Sequence, residues 1–166
     1  MASIVRDATP NDAAACAAIY APYVADTAIS FEAEPPDADE MARRIATAQE
    51  RHAWLVLEID GQVRAYAYGA TFRTREAYRY SAEVSVYVER GHERAGAGRK
   101  LYEALLQRLT DLGFRTAIAG MTLPNDASVG LHAALGFEPV GTYRDIGHKF
   151  GAWHDVAWMQ ILFPDR

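Results

Sequence analysis

Residues 81–112 hold the groups best spaced for chemistry. Three glycines, Gly91, Gly96 and Gly98, interrupt a run that also carries Arg90, Arg94, Arg99 and Lys100. Glycine lets a backbone approach a ligand closely. The first N–H groups of a helix have no intrahelical acceptor, so a glycine loop running into a helix gathers donors at the positive end of its dipole. That is chemistry for an anion. A nucleoside-triphosphate loop would need Lys and then Ser or Thr after its last glycine, whereas Gly98 is followed by Arg99, Lys100 and Leu101. A dinucleotide fingerprint would need a third glycine where Leu101 stands.

The elements that must hold this loop are legible on both sides of it. Val84, Val86 and Val88 alternate with Ser85 and Tyr87, the period of a strand. Leu101, Leu105, Leu109 and Leu112 recur at helical spacing. Upstream, residues 4–7 form a short strand, and Pro10-Asn11-Asp12 starts a helix carrying Cys16, Ile19, Tyr20 and Val24, which Pro22 kinks or ends. A loop rich in acids and proline begins at Ser30 and leads into a second helix from residue 37 to about 51. Strands at 54–59 and 62–72 meet at Asp60-Gly61, a strong hairpin signal. Downstream, a strand at 116–122 is broken by Leu123-Pro124-Asn125. A short helix at 127–135 is closed by Gly136, and strands at 142–146 and 153–162 follow. The order predicts one α/β domain over residues 1–166, with a mixed sheet because the hairpin is antiparallel.

Composition sets the bounds. A chain of 166 residues, half of them apolar, can bury a sizeable core without metal or disulfide support. Its one cysteine, Cys16, forms no internal bridge, and its place on the first helix suggests core packing. No apolar run approaches the roughly 20 residues of a membrane span, and the N-terminus lacks a signal-peptide core, so a soluble cytoplasmic protein without a membrane partner is expected. A net charge of −5 disfavours nucleic acid as a partner. His148, His154 and Asp155 match no standard ligand spacing, and no metal is expected.

The GxG element flanked by Arg94 and Arg99 after a strand resembles the pyrophosphate-binding motif of the GCN5-related N-acetyltransferases, the GNAT superfamily. LPNDASVGLHAALGF, at 123–137, resembles the element that follows the CoA loop there. Together AEVSVYV, LPNDAS and KFGAWHDVAWMQ resemble the phosphinothricin and methionine sulfoximine acetyltransferase group, over nearly the whole chain. The resemblance implies a mixed, mostly antiparallel sheet with splayed central strands, flanked by about four helices. It further implies a homodimer, acetyl-CoA as co-substrate, and acetyl transfer to the α-amine of a small amino acid or analogue.

Acyl transfer from a thioester needs an amine with a free lone pair, hence a base, and donors for the developing oxyanion. The resemblance makes Glu83 that base. It gives His132, at a position where many relatives carry a Tyr, a part in protonating the thiolate or relaying a proton with Glu83. Backbone groups of Val86, Tyr87 and Val88 would pair with pantetheine. The N–H groups of Arg94, Ala95, Gly96, Ala97, Gly98 and Arg99 would hold the pyrophosphate, and Asn125 and Ser128 would flank the pantetheine arm. Glu93 stands where the family has Gln or Arg and is expected to turn outward. For the acceptor, Arg73 and Arg79 offer forks for a carboxylate, Phe72 and Tyr78 apolar walls, and Phe31 and Lys149 contacts from elsewhere in the chain. A solvated basic loop or a dimer contact would use the same arginines. Two other functions fit the sequence: transfer to another amine (an aminoglycoside, a polyamine or a protein N-terminus), and a CoA-binding module without turnover. The arginines before Glu83 disfavour polycations.

Overall fold

The structure, a computed structural model, describes residues 2–93 and 96–164. Its strands are β1 (Ser3–Asp7), β2 (Trp54–Ile59), β3 (Gln62–Thr71), β4 (Ser81–Val88), β5 (Thr116–Thr122), β6 (Glu138–Lys149) and β7 (Ala152–Leu162). Its helices are α1 (Ala13–Asp26), α2 (Ala38–Arg51), α3 (Ala97–Asp111) and α4 (Asp126–Ala134). The strands form one sheet in the order β1-β2-β3-β4-β5-β7-β6. Among the described residues no helix is long and apolar enough to cross a membrane.

Alternation along the strands gives the sheet two buried faces. On one, Leu101, Tyr102, Leu105 and Leu109 of α3 pack on Ala65, Ala67, Ala82 and Ala117, whose small side chains let the helix approach closely. On the other, Cys16, Ile19 and Val24 of α1 and Met41 and Ile45 of α2 cover Trp54, Val56 and Tyr66. Helix α2 starts where Asp37 accepts the Glu40 N–H at 2.8 Å. Helix α1 does not end at Pro22: proline withdraws its own N–H, and the ladder resumes to Asp26, burying Val24.

The sheet is antiparallel except at β4–β5. There the parallel ladder holds only Ser81 with Thr116, Ala82 with Ala117 and Glu83 with Ile118. Strand β5 then follows β7 along its full length, while β4 stays with β3. The two central strands splay, as the resemblance implied.

The last hairpin is longer than the sequence suggested. Strand β6 spans Glu138–Lys149 rather than 142–146, and turns into β7 through Phe150 and Gly151, both left-handed at φ 53° and 70°. Its register shifts midway: Tyr143 pairs with Val156 but Gly147 with His154. Asp145, at φ 50°, sits in that bulge and donates its N–H to the Asp155 carboxylate at 2.8 Å.

Candidate active site

Two spaces meet where β4 and β5 part. The first is the narrow gap between the strands, bordered by Val86 and Tyr87 on one side and by Gly120, Thr122, Asn125, Ser128 and His132 on the other. Glu89 gives its N–H to Arg64 at 2.7 Å, so by antiparallel alternation Tyr87 directs its backbone groups to β3, whereas Val86 and Val88 direct theirs into the gap. The Val88 carbonyl accepts the Tyr23 hydroxyl at 2.5 Å. Of the three residues expected to pair with pantetheine, Val86 and the Val88 N–H therefore present free backbone there, and the Tyr87 backbone is committed to the sheet. Asn125 caps α4 by accepting the Ser128 N–H at 3.2 Å, which leaves its amide NH2 facing the gap. An open strand edge beside a free amide fits an amide-bearing arm laid in as an extra strand.

Beyond Val88 the gap runs toward the residues between β4 and α3. Gly96 caps α3 in the left-handed conformation, φ 70°, and Gly91 is left-handed at φ 96°. Gly98 is not; a β-carbon there would touch Val88 and Leu131 at 3.6 Å. Arg94 and Ala95 lie outside the described residues. Glu93 stays exposed and folds back to accept the Gly91 N–H at 2.7 Å. Arg99 pairs with Glu103 at 2.9 Å, so its backbone rather than its guanidinium faces the helix start.

The second space is a cavity of about 880 Å³ that borders the gap and is lined by Glu83, Ser85, Tyr20, Glu32, Arg73 and Trp158, among others. Glu83 sits at the junction, on the final β4–β5 rung. Burial raises its pKa above the ordinary carboxylate range, and the Arg73 charge pulls it partly back. Glu32 is in the same cavity but is held by the Arg44 fork at 2.6 and 2.9 Å and by the Tyr20 hydroxyl, and that pairing lowers its pKa.

His132 is buried at the gap's edge. Its Nδ1 lies 2.7 Å from the Ser128 carbonyl, which can only accept, so Nδ1 carries the proton. Nε2, 2.8 Å from the Tyr102 hydroxyl, is then the acceptor. Burial lowers the imidazole pKa and favours this neutral form. Both nitrogens are engaged, and no hydrogen bond links His132 to Glu83 among the described residues.

The expected acceptor residues separate. Phe31 and Arg73 line the cavity. Phe72 faces a neighbouring apolar cavity of about 360 Å³ that shares Arg73, Tyr143 and Trp158. Tyr78 and Arg79 border a third space, of about 490 Å³, with Arg51 and Arg75, and the Arg79 guanidinium lies 4.6 Å over the Tyr80 ring. Arg73 borders that space too, and the Tyr78 ring meets Phe72 edge-on at 5.9 Å, but neither Tyr78 nor Arg79 lines the cavity that holds Glu83. Lys149 donates to the carbonyls of Val24 and Ser30 at 2.6 and 2.7 Å instead of lining the cavity. Sequence reasoning missed Tyr20, Glu32, Tyr143 and Trp158. Alternation from Glu83 would have found Ser85, but the others come from elements that only topology brings close. Cys16 is fully buried, with its thiol pKa pushed up to about 12.

Residues 5–158 match the acetyltransferase (GNAT) domain family. The chain is 40% identical over 159 residues to the phosphinothricin N-acetyltransferase of Streptomyces viridochromogenes, covering 96% of this chain and 87% of that protein. It is 36% identical over 169 residues to the L-methionine sulfoximine/L-methionine sulfone acetyltransferase of Pseudomonas paraeruginosa, covering 100% and 98% of the two chains. Its fold matches that of an acetyltransferase from Salmonella typhimurium solved with acetyl-CoA at a TM-score of 0.96 and 32% identity, over 100% of this chain and 96% of that one.

Proposed function

Because the chain belongs to the GNAT acetyltransferases, we propose that it moves the acetyl group of acetyl-CoA onto the α-amine of a small amino acid or analogue of the phosphinothricin and methionine sulfoximine kind, residues 1–166 acting as one catalytic domain. The observation that carries this reading is Glu83, a half-buried carboxylate with a raised pKa at the point where the β4–β5 gap meets the cavity. In this reading the thioester reaches that point from the gap and the amine from the cavity. Glu83 takes a proton from the ammonium, directly or through water, and the freed lone pair attacks the carbonyl carbon. The attacking nitrogen of the tetrahedral intermediate gives up its remaining extra proton, to solvent or to the departing sulfur, as the intermediate collapses. The C–S bond breaks, leaving a neutral amide and CoA, whose thiolate is a tolerable leaving group. His132 orders α4 and the gap's edge through Ser128 and Tyr102.

Arg73, the cavity's cation with a guanidinium 4.2 Å over the Phe72 ring, suits an acceptor carboxylate. The cavity's second carboxylate, Glu32, is already neutralised by Arg44, so it offers little to a polycation such as an aminoglycoside or polyamine. The reading includes a homodimer: Val140, Tyr143, Ile146, Phe150 and Trp153 are each more than half exposed along β6–β7, an apolar surface that a second copy would cover. The test is thiol release from acetyl-CoA with a panel of amines. Turnover of methionine sulfone, methionine sulfoximine or phosphinothricin in preference to spermidine and an aminoglycoside is expected. No thiol release with any amine would leave only CoA binding.

A further inference from the structure

Phe31 projects from the loop between α1 and α2, and its neighbours on either side are fixed. Ser30 is buried with its hydroxyl 2.7 Å from the Tyr20 hydroxyl, and Glu32 is forked by Arg44. The ring reaches across the cavity to the other half of the splayed sheet and lies on the Gly147 backbone, with the His154 ring 6.1 Å away on the paired strand. A β-carbon at position 147 would overlap two carbons of that ring. Gly147 is not left-handed, so backbone conformation does not demand glycine there; the Phe31 ring does. Two residues on, Lys149 spans the same divide and holds the carbonyls of Val24, in the last turn of α1, and of Ser30.

We propose that Gly147 and Lys149 are positioning residues for acceptor recognition: Lys149 fixes the backbone just before Phe31, and the missing side chain at 147 gives the ring its seat in the cavity wall. Both act through Phe31, the one group of the three that lines the cavity. The seated ring narrows the cavity between the α1–α2 loop and β6, which favours acceptors with short, unbranched side chains. The inference rests on the reading that this cavity receives the acceptor.

A double-mutant cycle tests it, run with whichever amine the wild-type enzyme turns over fastest. Gly147→Ala is expected to raise the acceptor KM roughly tenfold, the scale of coupling between residues in contact. The acetyl-CoA KM, kcat and melting temperature should stay near wild type, because position 147 is a partly exposed strand site. Lys149→Met, which keeps the stem and removes the donors, should give the same KM-only loss. In a Phe31→Ala background, Gly147→Ala should be silent, since the group it displaces is gone. Equal effects of Gly147→Ala in both backgrounds, or an unchanged acceptor KM, would overturn the proposal. Independently of turnover, the Gly147 Hα resonances should be shifted upfield by the Phe31 ring and should relax in Phe31→Ala; unshifted resonances also overturn it. An enzyme that turns over no amine yet shows the ring shift would defeat the acceptor reading and leave the seat standing.

Discussion

Glu83 faces Ile118 across the last rung that joins β4 to β5, and the strands part immediately beyond it. Alternation sends the Glu83 side chain to the α1–α2 face, where the cavity lies, while Ala82 and Val84 point into the α3 core. The carboxylate is thereby half-buried without a hydrogen bond from any described residue, which costs the fold stability and favours the protonated form.

Replacing Glu83 with Gln keeps the shape and removes the proposed base. The rate near pH 7 should fall by roughly 100-fold or more with little change in the acetyl-CoA KM. The fold should gain. A carboxyl whose folded pKa is raised stabilises only while protonated, and that contribution is lost as pH rises through the folded value. At pH 7 the variant should therefore melt above wild type, and the difference should vanish below the unfolded value of about 4.3. Thermal melts at both pH values, beside steady-state rates, check this; an unchanged rate would move the base elsewhere.

Arg73 and Arg79 were indistinguishable as sequence and are separated by the structure. Arg73→Ala should raise the acceptor KM roughly 10- to 100-fold, the range for a lost charged hydrogen bond. Because Arg73 also holds the Glu83 pKa down, its loss should move the acid limb of the pH–rate profile to higher pH. Arg79→Ala should leave both nearly unchanged. Kinetics on the two variants across pH decide the point.

The loop proposed to hold the pyrophosphate makes a separate prediction. Gly96→Val forces a branched residue into the left-handed region, at a cost of about 1–2 kcal/mol, and sets bulk where the proposed CoA site brings the pyrophosphate against the backbone. CoA affinity should collapse in a protein that still folds. Gly98→Ala, whose β-carbon has ordinary contacts, should fold normally and lose less. Calorimetric titration with CoA separates the two.

His132 and His52 titrate with the opposite sign to Glu83. Burial lowers both pKa values, so the stability their neutral forms contribute is complete above the unfolded value of about 6.5 and is lost as pH falls from there through the lower folded values. Their contribution to the melting temperature should begin to decline as pH falls below about 6.5, against the rise that Glu83 supplies. Tyr102→Phe, which leaves the buried Nε2 without its donor, should cost about 1–3 kcal/mol. Melts across pH on wild type and the variant measure both effects.

What could be read from the sequence followed local rules. Asp60 and Gly61 are both left-handed, as the hairpin signal required, and Gly136 is left-handed just beyond α4. Strand β5 has the predicted bounds, and the splay came from the resemblance. Strand β6 was half missed because most of it is exposed on both faces, so no alternation marks it, and its turn uses Phe150 where Asn or Asp would have signalled one. The cavity beside Glu83 was least legible. Glu32, Glu83 and Trp158 come from three distant segments, and no spacing rule connects them. Lys149 looked like a substrate contact because a lysine's charge is visible in sequence and the two carbonyls that occupy it are not.

Cys16 lies sealed in the α1–α2 core, its thiol held protonated, and it is the chain's single cysteine. A chromogenic disulfide that detects free thiolate should thus ignore the native enzyme and respond to liberated CoA alone, giving a continuous colour readout without background from the catalyst. The same reagent should react with one equivalent of thiol as soon as the chain is unfolded, so a single chemical reports both turnover and loss of structure.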